Sequence, residues 1–202
     1  RFSSPVSQHR VVEGFGMPLS RIARIRGKVP GATINDVFVA VAGGAVRKYL
    51  EAKGELPAES LSGLMPISLR SDASAGGNEV AGVPVQVRSD VADPIERLLA
   101  VREECIASKA RAEKLGLDLL KSLFEVLPPI AASGLFLQIA KSVNLTVSNV
   151  RGPERPIYLA GAEAMCLYPV SIPADAISIG ARLGCGVYIR ARPMSWSRSC
   201  CA

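Results

Sequence analysis

Residues 31–54, GATINDVFVAVAGGAVRKYLEAKG, place Ile34, Val37, Phe38, Val41, Ala45, Tyr49 and Leu50 at three- and four-residue steps. That spacing predicts a helix of about five turns with one apolar stripe, and the stripe has to be buried. Both ends of the helix are marked. Thr33 and Asp36 form a short-armed capping box, in which each side chain takes up a free backbone N–H of the first turn. Asp36 also puts negative charge at the positive end of the helix dipole, and Gly54 is a natural left-handed stop. Asn35 is left over, because a capping box has no use for an amide at its second internal position. The pair Asn35-Asp36 therefore admits two readings: a helix start and nothing more, or a helix start that also holds an amide for chemistry.

The rest of the chain mixes helices and strands without a regular βαβ repeat. HRVVEGFGMPLS reads as a strand running toward Ser20, which is placed to cap a short basic helix, RIARIRGK. LSGLMPISLR reads as a buried strand and SDASAGGNE as a loop of small, turn-forming residues. In VPVQVRSD, Val83, Val85 and Val87 alternate with Pro84, Gln86 and Arg88, the pattern of a half-buried strand, with Pro84 pointing to a sheet edge or a strand start. DPIERLLAVREECIASKARAEKLG carries a full set of helix signals: Asp93 at the N-cap, Pro94 at the first position, Glu96 completing the box and Gly116 at the end. LDLLKSLFEVLPPIAASGLFLQIAKSV reads as two apolar helical pieces divided by Pro128 and Pro129. From Asn144 to Gly180, short Val/Ile/Leu/Tyr runs separated by turns suggest a sheet of several strands.

A chain of 202 residues with 49% hydrophobic content can bury a substantial core. Its longest charge-free run, VLPPIAASGLFLQIA, holds two prolines and a glutamine and falls short of the roughly 18 apolar residues of a membrane span. The first residues lack the layout of a signal peptide, and the chain reads as cut from something longer. The net charge of +6 would suggest nucleic acid as a partner, but Arg182, Arg190, Arg192 and Arg198 supply four of those charges in a stretch without acids. The body is nearly neutral, which argues against nucleic-acid binding. Three of the five cysteines, Cys185, Cys200 and Cys201, also lie there, leaving Cys105 and Cys166 in the body. No CxxC or Cys/His zinc spacing occurs, so no metal is expected, and a reducing, cytoplasmic location fits best.

Catalytic motifs are sparse. His9 is the sole histidine, and HRVVEG only brushes against an H-x-x-x-D-G pattern: Gln8 precedes it, Glu13 replaces the Asp, and the segment reads as a strand. It is read as a surface histidine. Neither a G-x-S-x-G elbow nor a P-loop is present, and Gly14-Phe15-Gly16 is only a piece of a dinucleotide fingerprint. SNVRGP, from Ser148 to Pro153, sets small polar groups at the end of an apolar strand. It is either a plain exit into a turn at Gly152-Pro153 or a polar wall of a cleft.

Taken together, GATINDVFVAVAGGAVRKYL, GELPAESLSGLMPISLR, GGNEVAGVPVQV with DPIERLLAV, and NLTVSNVRGPERPIYLAGAEAMCLYPVSI resemble the C-terminal half of the bacterial wax ester synthase/diacylglycerol acyltransferase family. The resemblance runs over about residues 1–180, in several blocks in the right order. It implies an α+β fold with a mixed sheet flanked by helices, one half of a two-domain CoA-dependent acyltransferase similar to chloramphenicol acetyltransferase. The reaction implied is transfer of a fatty acyl group from acyl-CoA to diacylglycerol or a long-chain fatty alcohol. Acyl-CoA is a substrate there, and no cofactor is implied. The family's general base is the second His of an HHxxxDG motif in the N-terminal half, so the missing N-terminal domain becomes an implied partner and the chain alone an inactive one. A peripheral place on the inner membrane or on lipid bodies, without secretion, goes with lipid substrates.

By the same resemblance Asn35 and Asp36 match the family's ND motif and are expected as active-site support. Ser148, Asn149 and Gly152 are expected as substrate-binding positions, with Arg151 standing where the family carries Pro. Residues 1–181 then form the acyltransferase domain. Residues 182–202 depart from the family, whose strand, helix and Ser-Tyr-x-Gly pattern are replaced by RLGCGVYIRARPMSWSRSCCA, the kind of sequence a shifted reading frame produces. A function of a different class stays open, a non-catalytic lipid- or partner-binding module that docks the apolar hairpin around Pro128 and Pro129 on a membrane or lipid-droplet surface.

Overall fold

The computed structural model describes residues 13–68, 80–114, 143–151, 158–159, 162–163, 177–183 and 187–189. In chain order the elements are β1 (Glu13–Phe15), α1 (Leu19–Arg26), α2 (Ile34–Glu51), β2 (Ser62–Ser68), β3 (Val80–Gln86), α3 (Pro94–Lys114), β4 (Leu145–Arg151), β5 (Tyr158–Leu159), β6 (Ala162–Glu163), β7 (Ile177–Leu183) and β8 (Val187–Ile189). Six strands form one sheet in the order β1-β8-β7-β4-β2-β3, and β5 with β6 makes a separate pair. The centre of the sheet is parallel, β2 beside β4 and β4 beside β7, while β3 and β8 run antiparallel to their neighbours. This is the mixed sheet with flanking helices expected from the sequence.

Alternation in β3 holds as written in the sequence. Val83, Val85 and Val87 are buried, Pro84 and Gln86 are exposed, and β3 is an edge strand, where proline's missing N–H costs no ladder bond. On β4, Leu145 and Val147 are buried and Thr146 half-buried, again with period two. The buried side chains of the strands meet α2 and α3 in a single core that includes Val37, Val39, Leu98, Val101, Val85 and Val147.

The buried face of α2 is not the stripe the spacing predicts. Val37, Phe38 and Leu50 are buried, but Ile34, Val41 and Ala45 are half-buried and Tyr49 is exposed. Buried with them are Val39, Ala40, Ala42, Gly43, Gly44 and Val46, which the stripe leaves out. Small residues define that face, so hydrophobicity alone under-weights it. At Gly43 the helix lies so close to the strand exit that an added Cβ would stand 1.9 Å from the Val87 carbonyl oxygen. At Gly44 a Cβ would stand 2.6 Å from Nη2 of Arg97. Gly54 has φ 66°, the left-handed turn expected after the helix.

Two arginines hold the β3–α3 connection. Arg97, itself buried, donates from Nε to the Ala40 carbonyl (3.1 Å) and from Nη1 to the carbonyls of Val91 (2.7 Å) and Ala92 (3.2 Å). Arg47 donates to the carbonyls of Ser89 (2.8 Å) and Asp90 (2.9 Å) and pairs with Glu51 at 2.7 Å. Burial, followed by the neighbouring Arg47 charge, holds the Arg97 pKa below its ordinary value, with Asp93 and Glu51 opposing. Four successive carbonyls thus receive charge-assisted donors, which fix the backbone of this connection. Asp93 caps α3 as expected, with Oδ1 accepting from the N–H groups of Ile95 (2.8 Å) and Glu96 (2.9 Å).

One helix start differs from the reading of the sequence. Pro18, not Ser20, is the N-cap of α1, and no side chain caps it; Ser20 lies inside the helix. Proline with φ −59° and ψ 136° sets the entry by its ring, and its carbonyl receives the N–H groups of Arg21 and Ile22. His9, the loop at 71–79, the apolar pieces around Pro128 and Pro129, Gly116, Gly152 and Cys166 lie outside the described residues. Val187–Ile189, within the segment expected to depart from the family, forms β8 between β1 and β7. Among the described residues no helix is long and apolar enough to cross a membrane.

Candidate functional site

The direction of α2 decides where its first turn lies. Gly43 sits under Val87, whose N–H bonds Leu61 O just before β2 begins, whereas Asn35 touches Met65 farther along that strand. The helix therefore runs antiparallel to β2 and puts its N-terminus toward the carboxyl end of the parallel strands. In open sheets with parallel strands, that end is where ligands gather.

The first turn is a complete capping box. The Thr33 N–H donates to Oδ2 of Asp36 (2.7 Å), and the Asp36 N–H donates to Oγ1 of Thr33 (3.1 Å). Asp36 is nonetheless 5% exposed, which is deep for a carboxylate, and a second neighbour accounts for it. Cys105 of α3 is also buried, and its pKa is pushed up from 9.0 to about 12, first by burial, then by the charge of Asp36 and a hydrogen bond to it; Glu104 adds to the rise and Lys109 opposes it. The thiol therefore keeps its proton beside Asp36.

A direct consequence concerns thiol chemistry. Thiolate is the reactive form, so Cys105 should resist a disulfide reagent such as 5,5′-dithiobis(2-nitrobenzoate) at pH 8, reacting only as fast as the fold opens. The linkage has a definite sign. The folded thiol keeps its proton through the range from 9.0 to about 12, where the unfolded thiol loses its own, so this group's contribution to stability is full below that range and declines as pH rises through it. Urea midpoints compared between the wild type and Cys105→Ser across that window would check the direction.

Asn35 is half-buried and takes no part in the cap. Its Nδ2 donates to the sulfur of Met65 at 3.1 Å, so the amide left over in the sequence reaches down onto the sheet. Ahead of the helix, Gly31 adopts φ 74° and a Cβ there would meet Nη2 of Arg102 at 2.8 Å. Arg102 thereby bears on the loop that leads into the cap, and its Nε is buried without a hydrogen-bond partner among the described residues.

Ser148 and Asn149 both lie in β4, beside Gly180 and Ala181 of β7, and both are half-buried. As successive strand residues they face opposite sides. Asn149 continues the side of Leu145 and Val147, the side on which α2 packs, whereas Ser148 shares the other side with Thr146 and Val150. Asn35 and Asn149 thus belong to the same side and the same end of the sheet, and no described hydrogen bond joins them. The sequence motif holds these two polar residues together; the pleat separates them. Met65 and Cys105, which fix Asn35 and Asp36, carried no sequence signal, because a methionine in a strand and a cysteine on an apolar helix face both read as core.

Comparison with known proteins bears on this arrangement. A sequence model of the WS/DGAT C-terminal domain matches residues 76–183. A Mycobacterium tuberculosis protein provisionally named a diacylglycerol O-acyltransferase is 36% identical over 186 residues, covering 88% of this chain and 37% of its own length. The O-acyltransferase WSD of Acinetobacter baylyi is 32% identical over 173 residues, covering 84% of this chain and 38% of that protein. Among solved structures, the wax ester synthase/diacylglycerol acyltransferase of Marinobacter aquaeolei VT8 superposes with a TM-score of 0.65 at 25% identity, over 94% of this chain and 44% of that one. The nonribosomal peptide synthetase FmoA3 matches with a TM-score of 0.57 at 14% identity, over 94% of this chain and 20% of its own, a likeness of fold. The chain spans 37–38% of the length of the two curated relatives.

Proposed function

The chain belongs to the wax ester synthase/diacylglycerol acyltransferase family, and from that premise we propose that it forms the C-terminal wall of an O-acyltransferase whose reaction moves a fatty acyl group from acyl-CoA to diacylglycerol or a long-chain alcohol. The observation that carries this reading is the match of residues 76–183 to the family's C-terminal domain, together with the capped Asn35-Asp36 turn at the carboxyl end of the parallel strands.

In this reaction the hydroxyl oxygen of the acceptor attacks the thioester carbonyl while a general base takes its proton. The tetrahedral intermediate then collapses, the carbon–sulfur bond breaks, and CoA leaves as the thiol with that proton. The base is a histidine of the HHxxxDG motif on the N-terminal half, and this chain supplies the opposing wall. Asn35 and Asp36 support the reacting groups, Asp36 by keeping the turn rigid and Asn35 by directing its amide. Of the substrate-binding positions Ser148, Asn149 and Gly152, Asn149 shares the side of Asn35 and lines the substrate path with Gly152, which follows β4 in the chain, while Ser148 stands on the opposite face of the strand. Acyl-CoA enters as a substrate, with no resident cofactor. The domain is taken as residues 1–181 with an atypical tail at 182–202, although Arg182 and Leu183 complete β7 and Val187–Ile189 pair into the same sheet as β8. Lipid substrates would place the assembled enzyme at the inner membrane or on lipid bodies as a peripheral protein.

The test is complementation. The 202-residue chain, mixed with the separately produced N-terminal half of a family relative and labelled acyl-CoA, should form triacylglycerol or wax ester. Alone it should be slower by about 10²- to 10⁴-fold, the contribution typical of a positioned general base. Equal rates with and without the N-terminal half would overturn the proposal.

A further inference from the structure

The amide of Asn35 is held from two sides. Its backbone belongs to a first turn closed by the reciprocal Thr33–Asp36 bonds, with Asp36 backed by the protonated thiol of Cys105. Its side chain ends on the Met65 sulfur, 3.1 Å from Nδ2, and Met65 is only 3% exposed. A thioether can accept a hydrogen bond and has none to donate. Turning the amide over would set Oδ1 against the sulfur, acceptor against acceptor, so the observed orientation is the favourable one. With Nδ2 on the sulfur, Oδ1 on the same carbon is directed elsewhere, and among the described residues no donor reaches it.

We propose that Met65 is a positioning residue that fixes the Asn35 amide so that its carbonyl oxygen is presented to the acyl-transfer site as a hydrogen-bond acceptor. This rests on the acyltransferase reading above and sharpens it. An acceptor at this place suits a group that carries a proton, either the hydroxyl of the acceptor alcohol or an imidazole N–H. It does not suit the developing oxyanion, which needs donors. Met65 thereby acts through Asn35 and touches no substrate itself. The sulfur is matched to this task by its polarizability and its length of reach from a strand.

Met65→Leu tests the inference, because it keeps the volume and removes the acceptor, a swap that cores usually tolerate. In the ¹⁵N-labelled chain, the Asn35 side-chain NH₂ pair, identified by its loss in Asn35→Ala, should move toward the positions of a freely rotating amide while the urea midpoint changes little. In the complementation assay kcat should fall on the order of tenfold, less than the roughly 10²-fold that a full ~1 Å misplacement brings, with KM for the alcohol unchanged. The double variant Asn35→Ala/Met65→Leu should be no slower than Asn35→Ala alone, since the sulfur has nothing left to position. Unchanged NH₂ signals in Met65→Leu, an unchanged kcat, or losses that multiply in the double variant would each overturn the proposal. Should the wild-type mixture make no ester, the acyltransferase reading itself fails, and with it the catalytic purpose assigned to Met65, while the NH₂ signals still decide whether the sulfur holds the amide.

Discussion

Gly43→Ala is expected to destabilise the chain by about 3 kcal/mol or more, seen as a large fall in the urea midpoint or as failure to fold, the upper end of what overpacking costs. In an exposed helix interior the same change stabilises by about 1 kcal/mol, because glycine has the larger backbone entropy to lose. The sign reverses here because the added methyl would stand 1.9 Å from the Val87 carbonyl oxygen and 3.0 Å from its carbon. Those are backbone atoms, and the Val87 N–H is engaged with Leu61 O, so the strand exit cannot retreat without breaking the join between β3 and β2. Gly44 gives an internal comparison. Its nearest obstacle is the end of a side chain, Nη2 of Arg97 at 2.6 Å, and a guanidinium can swing aside at the expense of its bonds to Val91 and Ala92. Gly44→Ala should therefore be damaging but milder. A stabilising Gly43→Ala would show that α2 does not pack on Val87 in this way.

The same two glycines explain why the fold was only partly legible in the sequence. Periodicity of large apolar residues located α2 and its limits, and the Thr33–Asp36 box and the Gly54 stop are found where the residue types put them. The facing direction was missed, because the closest contact on this helix is made by residues with no side chain to count. Strand β3 posed no such difficulty: period two is a two-way choice, and Pro84 marked it as an edge. Cap signals succeeded where a side chain does the capping, at Thr33, Asp36 and Asp93, and failed at α1, where a proline ring sets the entry. For the site, the unexplained amide in the first turn of α2 was visible from spacing alone. Its partner was not, since Met65 lies 30 positions away and only the pairing of β2 with its neighbours brings it under the helix start. The separation of Ser148 from Asn149 is written in the sequence as simple strand alternation.

Asn35→Ala should separate the two readings of the Asn35-Asp36 pair in the first turn of α2. Structurally the substitution is nearly free. It deletes one weak N–H···S bond at a half-buried position, leaves both cap bonds untouched, and improves helix propensity by a few tenths of a kcal/mol. A urea midpoint close to that of the wild type is expected. Turnover in the complementation assay should nevertheless drop by about 10²-fold, the scale set by losing the orientation of one reacting group, with the loss in kcat and not in KM. Asp36→Ala should behave in the opposite sense. It removes the acceptor of the Thr33 N–H and leaves the Cys105 thiol without its buried carboxylate, for a stability loss of about 1–2 kcal/mol, and the fall in rate should come mainly with the fall in folded fraction, with a smaller part from the loosened turn that carries Asn35. Two adjacent residues in one turn would then differ in kind, one acting chiefly on the transition state and the other chiefly on the fold. If Asn35→Ala instead lowers rate and midpoint together, as Asp36→Ala does, the amide belongs to the helix start alone and the site must be sought elsewhere on the sheet.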